Sequence, residues 1–245
     1  MNGIDRKRVA DKYNNVREIW DLSDKWHVCT RKWIEEFIAN SKQRVQLQST
    51  SEILNAGSGG EDYGFEESKT IHMDIAEMRI ARFPRKIVGS IEKINLENQC
   101  IDLALCVGSV INYCDPLSVI RELSRVLKKN GYLILEFENT YSLELLFKKS
   151  FNARRTLLKT FYQGEEEIIW TYAESFIKRH LALNNMSVIK ISRCHILSPL
   201  IYRITKNSDY SSKFERYDRF MRQIPIVRKF SSNVIILAEK TETGN

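Results

Sequence analysis

The sequence predicts an α/β protein, a mostly parallel sheet with helices on both faces. Three observations carry this. Short apolar runs at 52–56, 70–74 and 101–107 each end at an aspartate or run straight into a glycine, and a further run at 86–90 closes on Gly89-Ser90. The run Ile101–Val107 is nearly continuous in apolar residues, as a strand covered on both faces must be. Helical stretches follow the runs, and strands alternating with helices build a parallel sheet.

Composition bounds the rest. The 245 residues are 43% hydrophobic and 28% charged, which excludes wholesale disorder. Pro (4) and Gly (10) are too scarce for a fibrous or low-complexity chain. No run of about 18 apolar residues exists, so no membrane-spanning helix is expected. The segment MNGIDRKRVADKYNN lacks the apolar core of a signal peptide. Five cysteines (29, 100, 106, 114 and 194) form no CxxC pair. They predict neither a disulfide scaffold nor a zinc ribbon, and a reducing cytoplasm is the expected compartment.

The elements follow in order. Residues 12–40 read as one or two helices, because Val16, Ile19, Trp20 and then Trp33, Ile34, Phe37 and Ile38 recur at helical spacing. Ser23 or Thr30 is the expected cap of the second. Residues 1–45 are taken as a helical cap, a polar linker covers 41–51, and the main domain fills 46–245. Glu52–Ala56 is a strand running into Gly57-Ser58-Gly59-Gly60. Thr70–Asp74, Lys86–Ser90 and Ile101–Val107 are the next three. Asp115-Pro116 opens a helix, with Asp as N-cap and Pro at the first helical position. Asn130-Gly131 is its expected stop, and Tyr132–Phe137 is the fifth strand. Residues 139–170 and 198–230 interrupt the rhythm and are expected to be helical lid insertions. Between them lie a helix at 172–185 and a strand at 187–197. The stretch 232–240 is the last strand.

A strand ending in Gly-x-Gly lets backbone approach a ligand closely. Asp74, at the end of the second strand, can accept both hydroxyls of a ribose, and Ser90 and Ile91 end the third, where a base can lie. Dinucleotide binding is the rival reading. Its third glycine would fall at position 62, which is Asp62, and Asp74 follows Gly59 too closely for that fingerprint.

Taken together, Ile53-Leu54-Asn55-Ala56-Gly57-Ser58-Gly59, Met73-Asp74-Ile75, Gly89-Ser90-Ile91, Cys106-Val107-Gly108 and Arg125–Leu135 resemble the class I S-adenosylmethionine-dependent methyltransferases, in their small-molecule group. The resemblance is continuous over about 52–138. It implies a Rossmann-like seven-stranded sheet with an antiparallel last strand near 231–240. It also implies S-adenosyl-L-methionine as cofactor and S-adenosyl-L-homocysteine as product. The implied cofactor residues are Asn55, Ala56, Gly57, Ser58, Gly59, Asp74, Ile75, Ser90, Ile91, Cys106, Val107 and Gly108. The chain departs from the family where Asn55 replaces the usual acid and Glu61 the third glycine. The short span from Gly60 to Asp74 predicts a loop in place of the first helix.

The sulfonium methyl is already primed for displacement, so the protein mainly aligns donor and nucleophile. An oxygen or nitrogen nucleophile also needs its proton removed. Candidate bases are His27, Tyr113 and His195, with Asp115 further down, and no spacing selects one. No clustered His, Cys and carboxylate set calls for a metal, so none is expected.

Charge is uneven. Residues 139–230 hold 17 basic and 8 acidic side chains, and the rest of the chain is near neutral. This favours an anionic substrate, sugar- or lipid-like, under a basic lid, with Lys148, Lys149, Arg154 and Arg155 binding it. A small or medium metabolite methylated on O or N, less readily on C, is the expected substrate. The segment Cys106–Ser109 lacks the Asn/Asp-Pro-Pro-aromatic motif of exocyclic-amine nucleic-acid enzymes, so nucleic acid is not the expected partner. Two alternatives stand beside this: a cofactor-binding protein without catalysis, and an RNA-binding or RNA-modifying protein using the basic 139–230 region. Peripheral membrane contact and the oligomeric state are open.

Overall fold

The computed structural model describes residues 4–162 and 165–241. The expected cap over 1–45 is therefore seen from Ile4 onward, and residues 1–3 and 242–245 lie outside the described residues. Two helices come first, α1 (Arg6–Asn15) and α2 (Lys25–Val45). Then follow β1 (Ile53–Ala56), β2 (Thr70–Asp74), α3 (Glu77–Ile80), β3 (Lys86–Val88), β4 (Ile101–Cys106), α4 (Pro116–Val126) and β5 (Leu127–Glu138). The second half holds β6 (Arg155–Tyr162), β7 (Glu165–Tyr172), α5 (Glu174–Leu183), β8 (Met186–Cys194), α6 (Ser198–Thr205), α7 (Ser208–Ser212), α8 (Glu215–Met221) and β9 (Asn233–Lys240). No helix among the described residues is long and apolar enough to cross a membrane.

The main sheet has seven strands in the order β3-β2-β1-β4-β5-β9-β8. The first five are parallel, and β9 runs antiparallel between β5 and β8. Side chains alternate across the sheet, so successive residues serve different cores. Leu103, Leu105, Ile134, Ile235 and Leu237 pack under Trp33, Ile34, Phe37 and Ile38 of α2. Ala104, Cys106, Leu133, Leu135 and Ile236 pack with Val119, Ile120 and Leu123 of α4 and with Ile177 and Leu181 of α5. So α2 covers one face of the sheet over β1, β4, β5 and β9 and is part of its core.

Several boundaries differ from expectation, for local reasons. The cap of α2 is Asp24, whose carboxylate accepts the amides of Trp26 and His27. Ser23 instead donates to Asp21, and Thr30 donates to Trp26 O in mid-helix. As expected, Asp115 caps α4 and Pro116 opens it. Its end comes earlier than Asn130-Gly131, at Val126, where Lys240 Nζ donates to the free carbonyls of Ser124 and Leu127 at 2.7 Å. Asn130 sits inside the β5 stretch with φ +59°. The loop in place of a first helix is present, with only a 3-10 turn at Glu67–Lys69 before β2.

The largest correction falls on 139–170, expected to be helical. Among the described residues it holds a 3-10 turn at Leu143–Leu145 and then a β-hairpin, β6 against β7. Thr156, Thr160, Ile168, Ile169, Trp170 and Thr171 are the β-branched and aromatic residues that fit a pleated surface, and this outweighs a weak helical period. The 198–230 insertion is helical as expected.

Candidate active site

The C-terminal ends of β1, β2, β4 and β5 open into one cavity of about 640 Å³. Its roof comes from α1, α2, the hairpin and α6. In open α/β sheets, ligands bind at this edge, where the strand order reverses.

One end is built by the glycine loop. The amides of Gly57 and Ser58 both reach Met73 O, at 2.7 and 3.1 Å. Gly57 has φ +75°, and a Cβ there would lie 2.2 Å from Val110, so only glycine fits. Gly59 N donates to Asp74 Oδ2 at 2.8 Å, and Ala76 N to Asp74 Oδ1 at 2.8 Å. Burial raises the Asp74 carboxyl above its ordinary range, against these amides. Beneath the loop, His72 Nδ1 lies 3.1 Å from Ser58 Oγ, which in turn accepts Gly60 N. The His72 ring stacks on Phe83 at 3.5 Å, and burial lowers its pKa to about 4.

Of the expected cofactor residues, Gly57, Ser58, Gly59, Asp74, Ile75, Ser90, Ile91, Val107 and Gly108 line this cavity. Three stand behind its wall. Asn55 is 1% exposed, and its Nδ2 donates to Glu61 O at 2.7 Å, closing the glycine loop from below. Ala56 and Cys106 are core residues of β1 and β4. Glu61, where the family has a third glycine, lines the cavity and pairs with Arg31 at 3.0 Å. Arg31 is thus held by Glu61 and Glu35. Arg79 also lines the cavity, and its Nη2 is a buried donor with no hydrogen-bond partner among the described residues.

The candidate bases separate clearly. His27 lines the cavity, with Nδ1 2.8 Å from Asp24 Oδ2. Tyr113 lines it too, but donates its hydroxyl to Glu167 Oε2 at 2.7 Å and lies 3.0 Å from Tyr13 OH. Burial, with Tyr13 and Glu167 beside it, pushes the Tyr113 phenol well up, which suits a donor and not a base. His195 is a correction. It is fully buried outside the cavity wall, stacked on Trp26 at 4.3 Å, because its left-handed backbone (φ +56°) turns the ring inward. Asp115 is spent as the α4 cap.

The residues missed from sequence are acids. Glu138 ends β5 and lines the cavity with Glu144 and Glu167. Lys12 reaches Glu167 at 2.6 Å, so the charge of that acid is matched. No salt bridge reaches Glu138 or Glu144 among the described residues. Burial, then Glu144, Glu136 and Glu167, push Glu138 up to about 8. Burial also raises Glu144, against Lys148. The sequence signal was the pair Glu136/Glu138 closing an apolar strand, two residues apart and therefore on one face. Glu136 is the inner member, accepting Ser109 N at 2.5 Å and Asn233 Nδ2 at 2.9 Å.

The basic side chains expected to bind substrate stand outside the cavity, and of the four Lys148 acts on its wall, through Glu144. Lys148, Lys149, Arg154 and Arg155 are exposed, and none lines the cavity. The excess positive charge of 139–230 lies on the outside of the lid.

Comparison with known proteins agrees with this geometry. Residues 54–135 match the family described as "Methyltransferase domain". An uncharacterized protein of Methanocaldococcus jannaschii is 25% identical over 206 residues, covering 76% of this chain and 88% of the relative. A S-adenosylmethionine-dependent methyltransferase structure from Clostridium acetobutylicum is 16% identical with a TM-score of 0.58, covering 87% of this chain and 92% of its own. Geranyl diphosphate C-methyltransferase from Streptomyces coelicolor, solved with Mg2+, geranyl diphosphate and S-adenosyl-L-homocysteine, is 12% identical with a TM-score of 0.59. That likeness covers 96% of this chain and 97% of the other. The fold is the Rossmann-like fold of these methyltransferases. The matched segment, which is similar to that family, holds the glycine loop, Asp74 and Gly108, and the fold is shared with S-adenosylmethionine-dependent methyltransferase structures.

Proposed function

We propose that this enzyme methylates a nitrogen, or failing that an oxygen, of a small basic molecule, with Glu138 accepting the proton of the nucleophile. The observation that carries this is one shared cavity. The glycine loop and Asp74 stand at one end, and Glu138 and Glu144, without a salt-bridging cation, line the same space. A protonated or hydrogen-bond-donating substrate satisfies these carboxyls, whereas an anionic one would add a like charge to a buried acidic wall. The anionic substrate suggested by overall charge is therefore replaced by a basic one.

The residues fit the cofactor of the class. Gly57 leaves backbone where a side chain would clash, Asp74 offers a carboxylate to a ribose, and Ile75 and Ile91 offer apolar walls to a base. The unpartnered Arg79 Nη2 is a donor for an acceptor on a ligand. S-adenosylmethionine, when bound, supplies a methyl group already activated by its sulfonium.

The chain's own work is alignment and proton transfer. Tyr13, Trp20, Trp26 and Tyr113 line the cavity with aromatic faces that hold a cationic or flat substrate and exclude water. Alignment of two reactants can supply about 7–11 kcal/mol of the barrier. Glu138, with its pKa near 8, is poised to take the N–H or O–H proton as the new bond to carbon forms.

Calorimetry with S-adenosylmethionine and S-adenosylhomocysteine, on the native chain and on Asp74→Ala, tests the cofactor end. Transfer of labelled methyl to a panel of small amines, alcohols, carboxylates and phosphates tests the substrate end. Amines are expected to lead the panel. Preference for carboxylates or phosphates would overturn the substrate reading, and absence of cofactor binding would overturn the whole. Steeply salt-dependent retention on RNA, with no small-molecule turnover, would return the outer basic face to prominence.

A further inference from the structure

Behind the roof of the cavity lies a second cluster that methyl transfer does not use. We propose that Cys194, His195 and Glu215 form a metal site of the zinc class, with Cys29 as the candidate fourth ligand, tying the end of β8 to α8 and α2. The sequence reading expected no metal, because these residues are scattered along the chain and only the fold brings them together.

Geometry supports the site. The Sγ of Cys194, a ring nitrogen of His195 and a carboxylate oxygen of Glu215 lie within 4.8 Å of one another. Cys194 and His195 are 1% and 0% exposed, and the Glu215 side chain is 18% exposed. Consecutive strand residues ordinarily point to opposite faces. Here the left-handed backbone of His195 (φ +56°) ends β8 and brings its ring to the thiol side.

The ring is also oriented as a ligand. Thr30 Oγ1 gives its proton to Trp26 O at 3.1 Å, so at 2.7 Å from His195 Nε2 it accepts. Nε2 therefore carries hydrogen, and Nδ1 faces Glu215, so a metal ion would take the place of the proton these two share. This outer hydrogen bond is the arrangement that orients metal-bound histidines. Nδ1 and Glu215 Oε1 are 2.5 Å apart, an ion pair in the metal-free chain. Two ligands on one tetrahedral zinc ion stand about 3.3 Å apart, so an ion needs less than about 1 Å of movement here. The mixed S, N and O donor set selects a zinc-class ion over calcium or magnesium, which take oxygen ligands.

Cys29 on α2 is half-buried, and Glu215, His195, Cys194 and Lys32 all act on its thiol. A neighbouring carboxylate, Asp218, accepts Leu197 N, Ser198 N and Ser198 Oγ and braces the turn after His195 without joining the cluster. Thr30, Trp26 and Tyr202, which contact this region, also line the cavity, so a bound ion would stiffen the substrate roof.

The test is metal content, independent of methyl transfer. The full chain, dialysed against zinc and then against metal-free buffer, is expected to retain one zinc ion per chain by mass spectrometry. Cobalt(II) added to the stripped chain is expected to give intense tetrahedral d–d bands and a thiolate charge-transfer band. Cys194→Ser should remove the share of that charge-transfer band that Cys194 supplies, leaving at most the share of Cys29, and Glu215→Gln should weaken cobalt binding by about 10–100-fold. Cys29→Ser should shift the d–d bands if Cys29 is a ligand. Circular dichroism checks that each variant folds, and chelator titration of the parent chain gives a reading that needs no variant. Clearly substoichiometric zinc in the parent, or cobalt spectra identical in the parent and Cys194→Ser, would overturn the site and leave a metal-free pair of His195 with Glu215.

Discussion

Gly59 donates its backbone N–H to Asp74 Oδ2 at 2.8 Å, so the two edges of the cofactor end are one hydrogen-bonded unit. The other oxygen of Asp74 holds Ala76 N. The carboxylate therefore shapes the glycine loop as well as facing the cavity. Neither edge is in place without the other, and this makes position 74 sensitive to a change as small as O to NH2.

Asp74→Asn keeps the volume but can serve only one of the two amides as an acceptor. Hydrogen bonds to charged groups contribute roughly 1.5–3 kcal/mol, which corresponds to about 10–100-fold weaker binding of S-adenosylhomocysteine. Calorimetry measures this directly. An unchanged dissociation constant would show that the carboxylate does not face the cofactor.

Glu138→Gln removes the proton acceptor while sparing the glycine loop. The turnover number is expected to fall by about 10²–10⁴-fold, with cofactor affinity unchanged. In the parent enzyme kcat is expected to climb with pH and level off near pH 8, where Glu138 gives up its proton. A rate profile flat from pH 6 to 9 would remove Glu138 from the chemistry.

Stability should respond to the same carboxyl with the opposite sign. Its folded pKa, about 8, lies above the ordinary value of 4.5, so the folded chain holds this proton more tightly than the unfolded one. The stability it contributes is full below about pH 4.5 and is lost as pH rises through about 8. Glu138→Gln should therefore melt several degrees above the parent at pH 9, and close to it at pH 5. Thermal scans at the two pH values decide this, and a parallel response of both chains would contradict it.

Much of this was legible in the sequence. The runs Thr70–Asp74 and Ile101–Cys106 are bounded by glycine, aspartate or polar turns, and a fully buried parallel strand leaves little else that such runs can be. Asp115-Pro116 marked α4 because cap chemistry is local. The hairpin was not legible, since Lys148, Lys149, Arg154 and Arg155 between aromatics mimic an amphipathic helix, whereas cross-strand pairing with 165–172 decides the structure. Glu138 was not legible either. A carboxyl at a strand end becomes reactive only when the hairpin and Glu144 close over it. His195, a lone histidine beside an apolar strand, already suited a structural role better than a base, and its left-handed backbone places it in the core.

The outer charge of the lid gives a negative control. Lys148, Lys149, Arg154 and Arg155 are exposed and outside the cavity. Replacing Lys149, Arg154 and Arg155 by Gln should leave kcat/KM for a small basic substrate within about twofold, since solvent screens exposed charges at such a distance, whereas Lys148 acts on Glu144 and is kept. A tenfold loss would mean that the substrate extends out of the cavity onto this face.

Acid should unlock the glycine loop through His72. Its ring is 1% exposed and stacked on Phe83, and Nε2 has no hydrogen-bond partner. A second proton would therefore place an unsolvated cation under Ser58. Burial lowers the folded pKa to about 4, against an ordinary 6.5. A depressed pKa means the unfolded chain binds the proton more readily, so the contribution is full above about pH 6.5 and is lost as pH falls through 4. The difference amounts to about 3 kcal/mol, or roughly 6–12 °C of melting temperature for a chain of this size. His72→Phe keeps the stack and deletes the titration, though it gives up the contact with Ser58. Between pH 7 and pH 4 the parent should lose that much more melting temperature than the variant, and equal losses in both would place the acid sensitivity elsewhere.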